Sequence, residues 1–213
     1  MRYLLTTLLT LALTGPAAAS DRLRTLSSEF PAAGVRAVEV VAGVGTVEIQ
    51  AHPGGTIASD VDVVAKRLSG RGDRRTRRLV EDLALSEELK GDVLVLRLLP
   101  EQRGRTEFNE EWVVKLPDSL AVTVKLGVGE IRVADVSGDL ELKLGVGDVT
   151  VEGEFSAFGP IRVSCGVGEV SVRTPAGRER GSGFIAKDLA TQGEGISALR
   201  AAVGVGDISV RLR

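Results

Sequence analysis

Apolar and polar residues alternate through much of this chain, and at five places the alternation changes phase across a Gly-Val-Gly tripeptide. The copies begin at Gly43, Gly127, Gly145, Gly166 and Gly204. Before the second copy Val122, Val124, Leu126 and Val128 share one parity; after it Ile131 and Val133 have the other. The same switch separates Leu140, Leu142, Leu144 and Val146 from Val149 and Val151, and Ile161, Val163, Cys165 and Val167 from Val170 and Val172. Successive strand side chains point to opposite faces. Each copy therefore predicts two short strands with one extra residue between them, the sequence form of a bulge or corner. Gly43, Gly45, Gly127, Gly129, Gly145, Gly147, Gly166, Gly168, Gly204 and Gly206 are then structural corners. Glycine suits them because it tolerates positive φ and close backbone approach.

The later copies follow at intervals of 18, 21 and 38 residues, the last long enough for one coil or two. Units of this size with two strands each fit an all-β fold, a parallel β-solenoid whose coils stack like on like. Parallel crossover chirality makes a right-handed winding the expectation. A meandering antiparallel sandwich is the competing architecture. The regular coils occupy 118–213, and 20–117 is less regular. There Asp60-Val61-Asp62-Val63 reads as a strand. Asp73 to Asp82 reads as a short helix with Leu79, Val80 and Leu83 on its apolar side. Leu83 to Leu89 and Val93 to Leu99 form a hairpin turned at Lys90-Gly91-Asp92. Trp112, Val114 and Leu116 point inward, and Thr174 to Gly195 is a charged, glycine-rich surface excursion. Residues 20–213 make one domain, since no linker divides them.

The first residues change the picture of where the chain works. Arg2, the apolar run Leu4 to Leu13 and the small residues Pro16 to Ala19 have the form of a secretory signal, residues 1–19, with cleavage after Ala19 or after Ser20. The run is too short to span a bilayer, which takes roughly 20 apolar residues. Export to the periplasm or cell surface is the expectation, with no transmembrane span after cleavage. Cleavage removes one arginine, which takes the formal net charge from −2 to −3. That balance gives no general attraction to nucleic acid. A single cysteine rules out an intrachain disulfide.

Candidate chemistry is sparse. The only histidine, His52, adjoins Pro53 in a turn and reads as a solvated loop residue. Cys165 fills the slot held by Ala42, Leu126, Leu144 and Val203 in the other copies, so it is expected inside as a small apolar residue. Gly-Val-Gly lacks the third glycine and the following helix of a dinucleotide fingerprint. No cofactor and no catalytic set is expected. Glu130, Asp148 and Glu169 follow their repeats and line up along one corner if the coils stack about 4.8 Å apart. Three readings of this column stay open: a solvated ladder compensated by Lys125 and Lys143, a structural Ca²⁺ site, and a stripe for recognising a partner. Arg71, Arg74, Arg75, Arg77 and Arg78 form a dense basic cluster, either a solvated face balanced by Glu81 and Asp82 or a polyanion contact.

The run Trp112 to Pro117, then Val122 to Lys125, Gly127-Val128-Gly129-Glu130-Ile131-Arg132-Val133 and Ser137-Gly138-Asp139-Leu140, resembles a large bacterial family of β-strand-repeat proteins with adhesin-like domains of unknown function. The helix, hairpin and strand upstream follow the same order. The resemblance implies a right-handed β-solenoid-like domain outside the cytoplasm and carries over no catalytic residues. The expected function is a non-enzymatic, exported envelope module that binds or scaffolds a glycan or protein partner. Two alternatives stand beside it. One is a polysaccharide-active β-helix enzyme using carboxylates such as Glu130, Asp148 and Glu169. The other is a self-assembling solenoid, whose oligomers would form through open end strands.

Overall fold

A computed structural model describes residues 22–65, 76, 78–100, 108–181 and 187–213. Residues 1–19, expected to be a secretory signal, lie outside the described residues. Fourteen strands follow in order: β1 (Arg22–Pro31), β2 (Ala37–Ala51), β3 (Thr56–Ala65), β4 (Ala84–Lys90), β5 (Val93–Leu99), β6 (Phe108–Leu116), β7 (Ala121–Ala134), β8 (Leu140–Gly153), β9 (Phe158–Val167), β10 (Val170–Thr174), β11 (Gly177–Gly181), β12 (Lys187–Gln192), β13 (Ser197–Val205) and β14 (Ile208–Leu212). β2, β7 and β8 run unbroken through their Gly-Val-Gly corners, whereas β9–β10 and β13–β14 turn the corner as two strands.

The corners divide one mixed sheet into two faces. Ahead of the corner the order is β4, β5, β2, β7, β8, β13, β9, β12; beyond it the order is β1, β3, β6, β2, β7, β8, β14, β10, β11. The central pairs are parallel and stack like on like. Val40 faces Val124, Val124 faces Leu142, Leu142 faces Ala201, and Ala201 faces Val163. Beyond the corner Ile49, Val133, Val151, Val210 and Val172 line up in the same way. The inward side chains of both faces belong to a single buried cluster. Each contributes roughly 1.5–3 kcal/mol on full burial.

Three expectations change. The sheet is mixed, because antiparallel strands close both ends: β4 pairs with β5, β3 with β6, β1 with β3, β11 with β10, and β12 with β9. The described part of Thr174 to Gly195 is therefore no plain surface excursion; it supplies the edge strands β11 and β12, which pair antiparallel with β10 and β9. The stack is also not sequential, as a simple solenoid would be. The last unit, β13–β14, inserts between β8 and the β9–β10 unit. Consecutive units 18 residues apart are adjacent, and the unit that follows after 21 residues skips a layer. The added length is a 3-10 turn at Phe155–Ala157. Finally, the valines of the tripeptides do not point inward. Val128, Val146, Val167 and Val205 are 45–50% exposed, because the chain bends around the core there and the middle residue sits on the outside of the bend.

Other elements fall as expected. β4 and β5 form the hairpin, and Trp112, Val114 and Leu116 are buried. Residues 78–81 are helical, with Val80 and Leu83 buried and Leu79 half-buried. No helix among the described residues is long and apolar enough to cross a membrane.

The corner glycines make this stacking sterically feasible. The second glycine of each copy has φ between +130° and +144°. A Cβ on Gly147 would lie 1.8 Å from the carbonyl oxygen of Gly129, and one on Gly145 would lie 2.5 Å from that of Gly127. Gly34 also has positive φ, at +82°, but open space around it. Gly147→Ala is expected to cost at least about 3 kcal/mol, since backbone in both layers must shift. Gly34→Ala should cost only about 1–2 kcal/mol for its backbone conformation. Urea unfolding of the two variants checks this; equal losses would remove the steric role of the column.

Candidate functional site

The corner carries three parallel columns. The glycine backbones stack directly on one another. Outside them Val44, Val128, Val146, Val205 and Val167 form an apolar ladder in that spatial order. Beside it runs the polar column Thr46, Glu130, Asp148, Asp207 and Glu169. The inserted unit therefore puts Asp207 between Asp148 and Glu169. The column is largely satisfied by the protein itself. Asp207 N–H donates to Asp148 Oδ1 at 3.1 Å, and Glu169 N–H donates to Asp207 Oδ1 at 2.8 Å. Arg132 Nε and Nη2 donate to the two oxygens of Glu130, each at 2.6 Å. Lys125 and Lys143 do not reach across the corner. They pair on their own face, with Glu39 at 2.8 Å and Glu141 at 2.6 Å. Among the described residues no group of three or more His, Cys, Asp or Glu is arranged to hold a metal ion.

The glycine column ends at a residue that periodicity did not single out. β5 pairs with β2 only as far as Val41, and beyond it Gly43 N–H donates to Glu110 Oε1 at 3.3 Å. Trp112 Nε1 donates to Glu110 Oε2 at 2.9 Å, so the Glu110 carboxylate closes the end of the stack. Burial holds this carboxyl above its ordinary range, against the downward pull of the bonds from Trp112 and Gly43.

The other sequence candidates are placed as follows. Arg71, Arg74, Arg75 and Arg77 lie outside the described residues, and Arg78 is exposed at the helical turn. His52 Nε2 lies 2.9 Å from the Thr56 carbonyl and staples its turn. Cys165 is buried, and its thiol donates to the Gly206 carbonyl at 3.0 Å.

A concavity of about 520 Å³ opens on the first face, across β8, β13, β9 and β12. Small side chains make it. Ala202 and Ser164 lie side by side in one row, between Lys143 on β8 and Asp188 on β12. The next row reads Glu141, Arg200, Arg162, Ala190. The hydrogen-bonded Lys143 ammonium holds the Glu141 carboxyl below its ordinary range; burial opposes this, and the charges of Lys143, Arg200 and Lys125 add to it. Arg162 makes no ion pair among the described residues. The trough thus offers two adjacent guanidinium groups, a hydroxyl and two carboxylates over a shallow floor. Its residues run from 141 to 202, and its β8 and β13 rows meet only through the permuted stacking, which local pattern does not reveal.

No family model matches the chain, and no curated protein matches it. The fold is similar to the crystal structure of a candidate cell adhesion protein from Clostridium sporogenes, with a TM-score of 0.51 and 15% identity over 89% of this chain and 99% of that one. A candidate adhesin from Bacteroides fragilis aligns over 88% of this chain and 97% of its own at 13% identity, with a TM-score of 0.28. At these identities the first likeness shows the fold alone, and the second is too distant to carry an argument.

Glu110 generates a pH prediction. The folded chain holds its proton to higher pH than the unfolded chain does. Its contribution to stability is therefore full below the unfolded carboxyl value, about 4.3, and is lost as the pH rises through the folded value. Glu110→Gln removes this dependence. From about pH 4 upward the stability of wild type relative to the variant should fall until the folded carboxyl ionises, and then level off. Denaturant unfolding as a function of pH checks it; a flat difference would mean that folding leaves the carboxyl's proton affinity unchanged, and a rising one that folding lowers it.

Proposed function

We propose that this chain is an exported, non-enzymatic binding module of the cell envelope, adhesin-like in its manner of working, which recognises an extended glycan or protein partner on the first face of its sheet. The observation that carries this reading is the trough over Ala202 and Ser164. It is a shallow, rigid depression on paired strands, bordered by Arg162, Arg200, Glu141 and Asp188. Guanidinium groups and carboxylates arranged this way serve as donors and acceptors to a polar chain laid across the strands. The likeness in fold to a candidate cell adhesion protein agrees with that role, as does the secretory character of residues 1–19. The carboxylates that a β-helix hydrolase would need, Glu130, Asp148 and Glu169, are bonded to backbone amides or arginine or stand apart from one another in the column. This favours binding over hydrolysis. Self-assembly through sheet edges is disfavoured by charge on the end strands, such as Arg178, Glu179 and Arg180 on β11.

A glycan array probed with residues 20–213 tests the reading. Selective binding is expected, with Arg162→Ala/Arg200→Ala reducing it about tenfold or more. A blank array together with no captured envelope protein after crosslinking in intact cells would overturn it. Turnover of a bound glycan would return the enzyme reading.

A further inference from the structure

The second face carries a different feature at the same end of the stack. β14, β10 and β11 are neighbours there, and their register sets Arg211 beside Arg173 and Arg173 beside Arg178. The next row is Ser209, Ser171 and Arg180. All four arginines are exposed. Only Arg211 is neutralised, by Glu152 at 2.7 Å. Arg178 Nε donates to Ser171 Oγ at 3.0 Å, which holds its guanidinium over the sheet. Among the described residues Arg173, Arg178 and Arg180 form no ion pair. Lost hydration and the charges of Arg180, Arg173 and Arg211 hold Arg178 below its ordinary range, with Glu169 opposing.

Like charges directly opposite in a ladder are unfavourable. Arginines on an edge strand have an ordinary explanation, since they block pairing with another chain. That covers Arg178 and Arg180 on β11 but not Arg173 and Arg211, which sit on interior strands. The remaining outward positions of the patch are the hydroxyls Ser171, Ser209 and Thr150, with Glu152, paired to Arg211, at its β8 border. No apolar side chain stands among them to insert into a lipid surface. The chain as a whole is acidic, so attraction for an anion here is local to the patch. Guanidinium groups bind carboxylate and sulfate bidentately, and adjacent strands repeat them about every 4.8 Å.

We propose that the outward face of β14, β10 and β11 is a binding site for an acidic polysaccharide. Arg173, Arg178 and Arg180 hold its carboxylate or sulfate groups, and Ser171 and Ser209 hydrogen-bond its hydroxyls. The site is separate from the first-face trough and does not depend on that trough having a ligand.

The test is salt elution of residues 20–213 from immobilised heparin and from immobilised polygalacturonate. Wild type should be retained on at least one. R173Q/R178Q/R180Q should bind about tenfold or more weakly, while R36Q/K90Q/K115Q, which removes as many charges from exposed positions outside both sites, should stay within about twofold. Soluble galacturonate or heparin oligomers should displace wild type and a neutral glucan should not, a readout that needs no variant to fold. Lack of retention, equal loss from both triple variants, displacement by the neutral glucan, or tighter binding to anionic vesicles or duplex DNA than to either polysaccharide would each overturn the proposal.

Discussion

The structure depends on backbone lying against backbone at the Gly-Val-Gly corner. A Cβ on any of these glycines except Gly43 would fall within 2.6 Å of a backbone carbonyl oxygen of the adjacent layer, so the layers close to strand spacing only because no Cβ is present. That contact fixes the register, since any slip would set a larger residue against the column. The register then places Val40, Val124, Leu142, Ala201 and Val163 in one row and Ile49, Val133, Val151, Val210 and Val172 in another. Core packing and surface ladders both follow from a constraint that involves almost no side chains.

A stack built this way has two ends to close, and it closes them differently. At one end the column meets Glu110, whose carboxyl takes the amide of Gly43 and the indole N–H of Trp112. One buried ionisable group stands in for a missing layer, and desolvation raises the affinity of that group for its proton. At the other end β11 and β12 run antiparallel to the stack and carry charge into solvent. The unit nearest the C-terminus is interior, so its arginines sit on a sheet face and not on an open edge. Arg211 and Arg213 make ion pairs there with Glu152, Asp135 and Glu154.

The two faces differ in what they present. On the first, small residues at Ala202 and Ser164 leave a depression between longer charged neighbours. On the second, arginine and hydroxyl rows make a flat cationic strip beside the acidic corner column. Between the faces the valine ladder forms an apolar ridge. These surfaces are held by the sheet, whose strands there are paired on both sides except at the edges β11 and β12. A partner that meets them finds a fixed pattern of charge and shape and need not order it.

The sequence by itself determined the corners, the inward rows, the buried Cys165 and the hairpin at Gly91-Asp92. These follow from alternation and glycine placement, which are local and repeat. It did not determine the order of the layers. Every corner offers the same glycine column and the same parity, so any unit stacks in register on any other, and local pattern cannot distinguish a sequential stack from a permuted one. Three extra residues at the Phe155–Ala157 turn are the only visible trace of the skipped layer. The full trough and the pairing of Arg211 were therefore out of reach. Arg200 meets Glu141, and Arg211 meets Glu152, only because the last unit returns to the middle of the stack. The outward turn of the valines was hidden too: parity assumes a straight strand, and at a bend the residue on the convex side leaves the core whatever its parity.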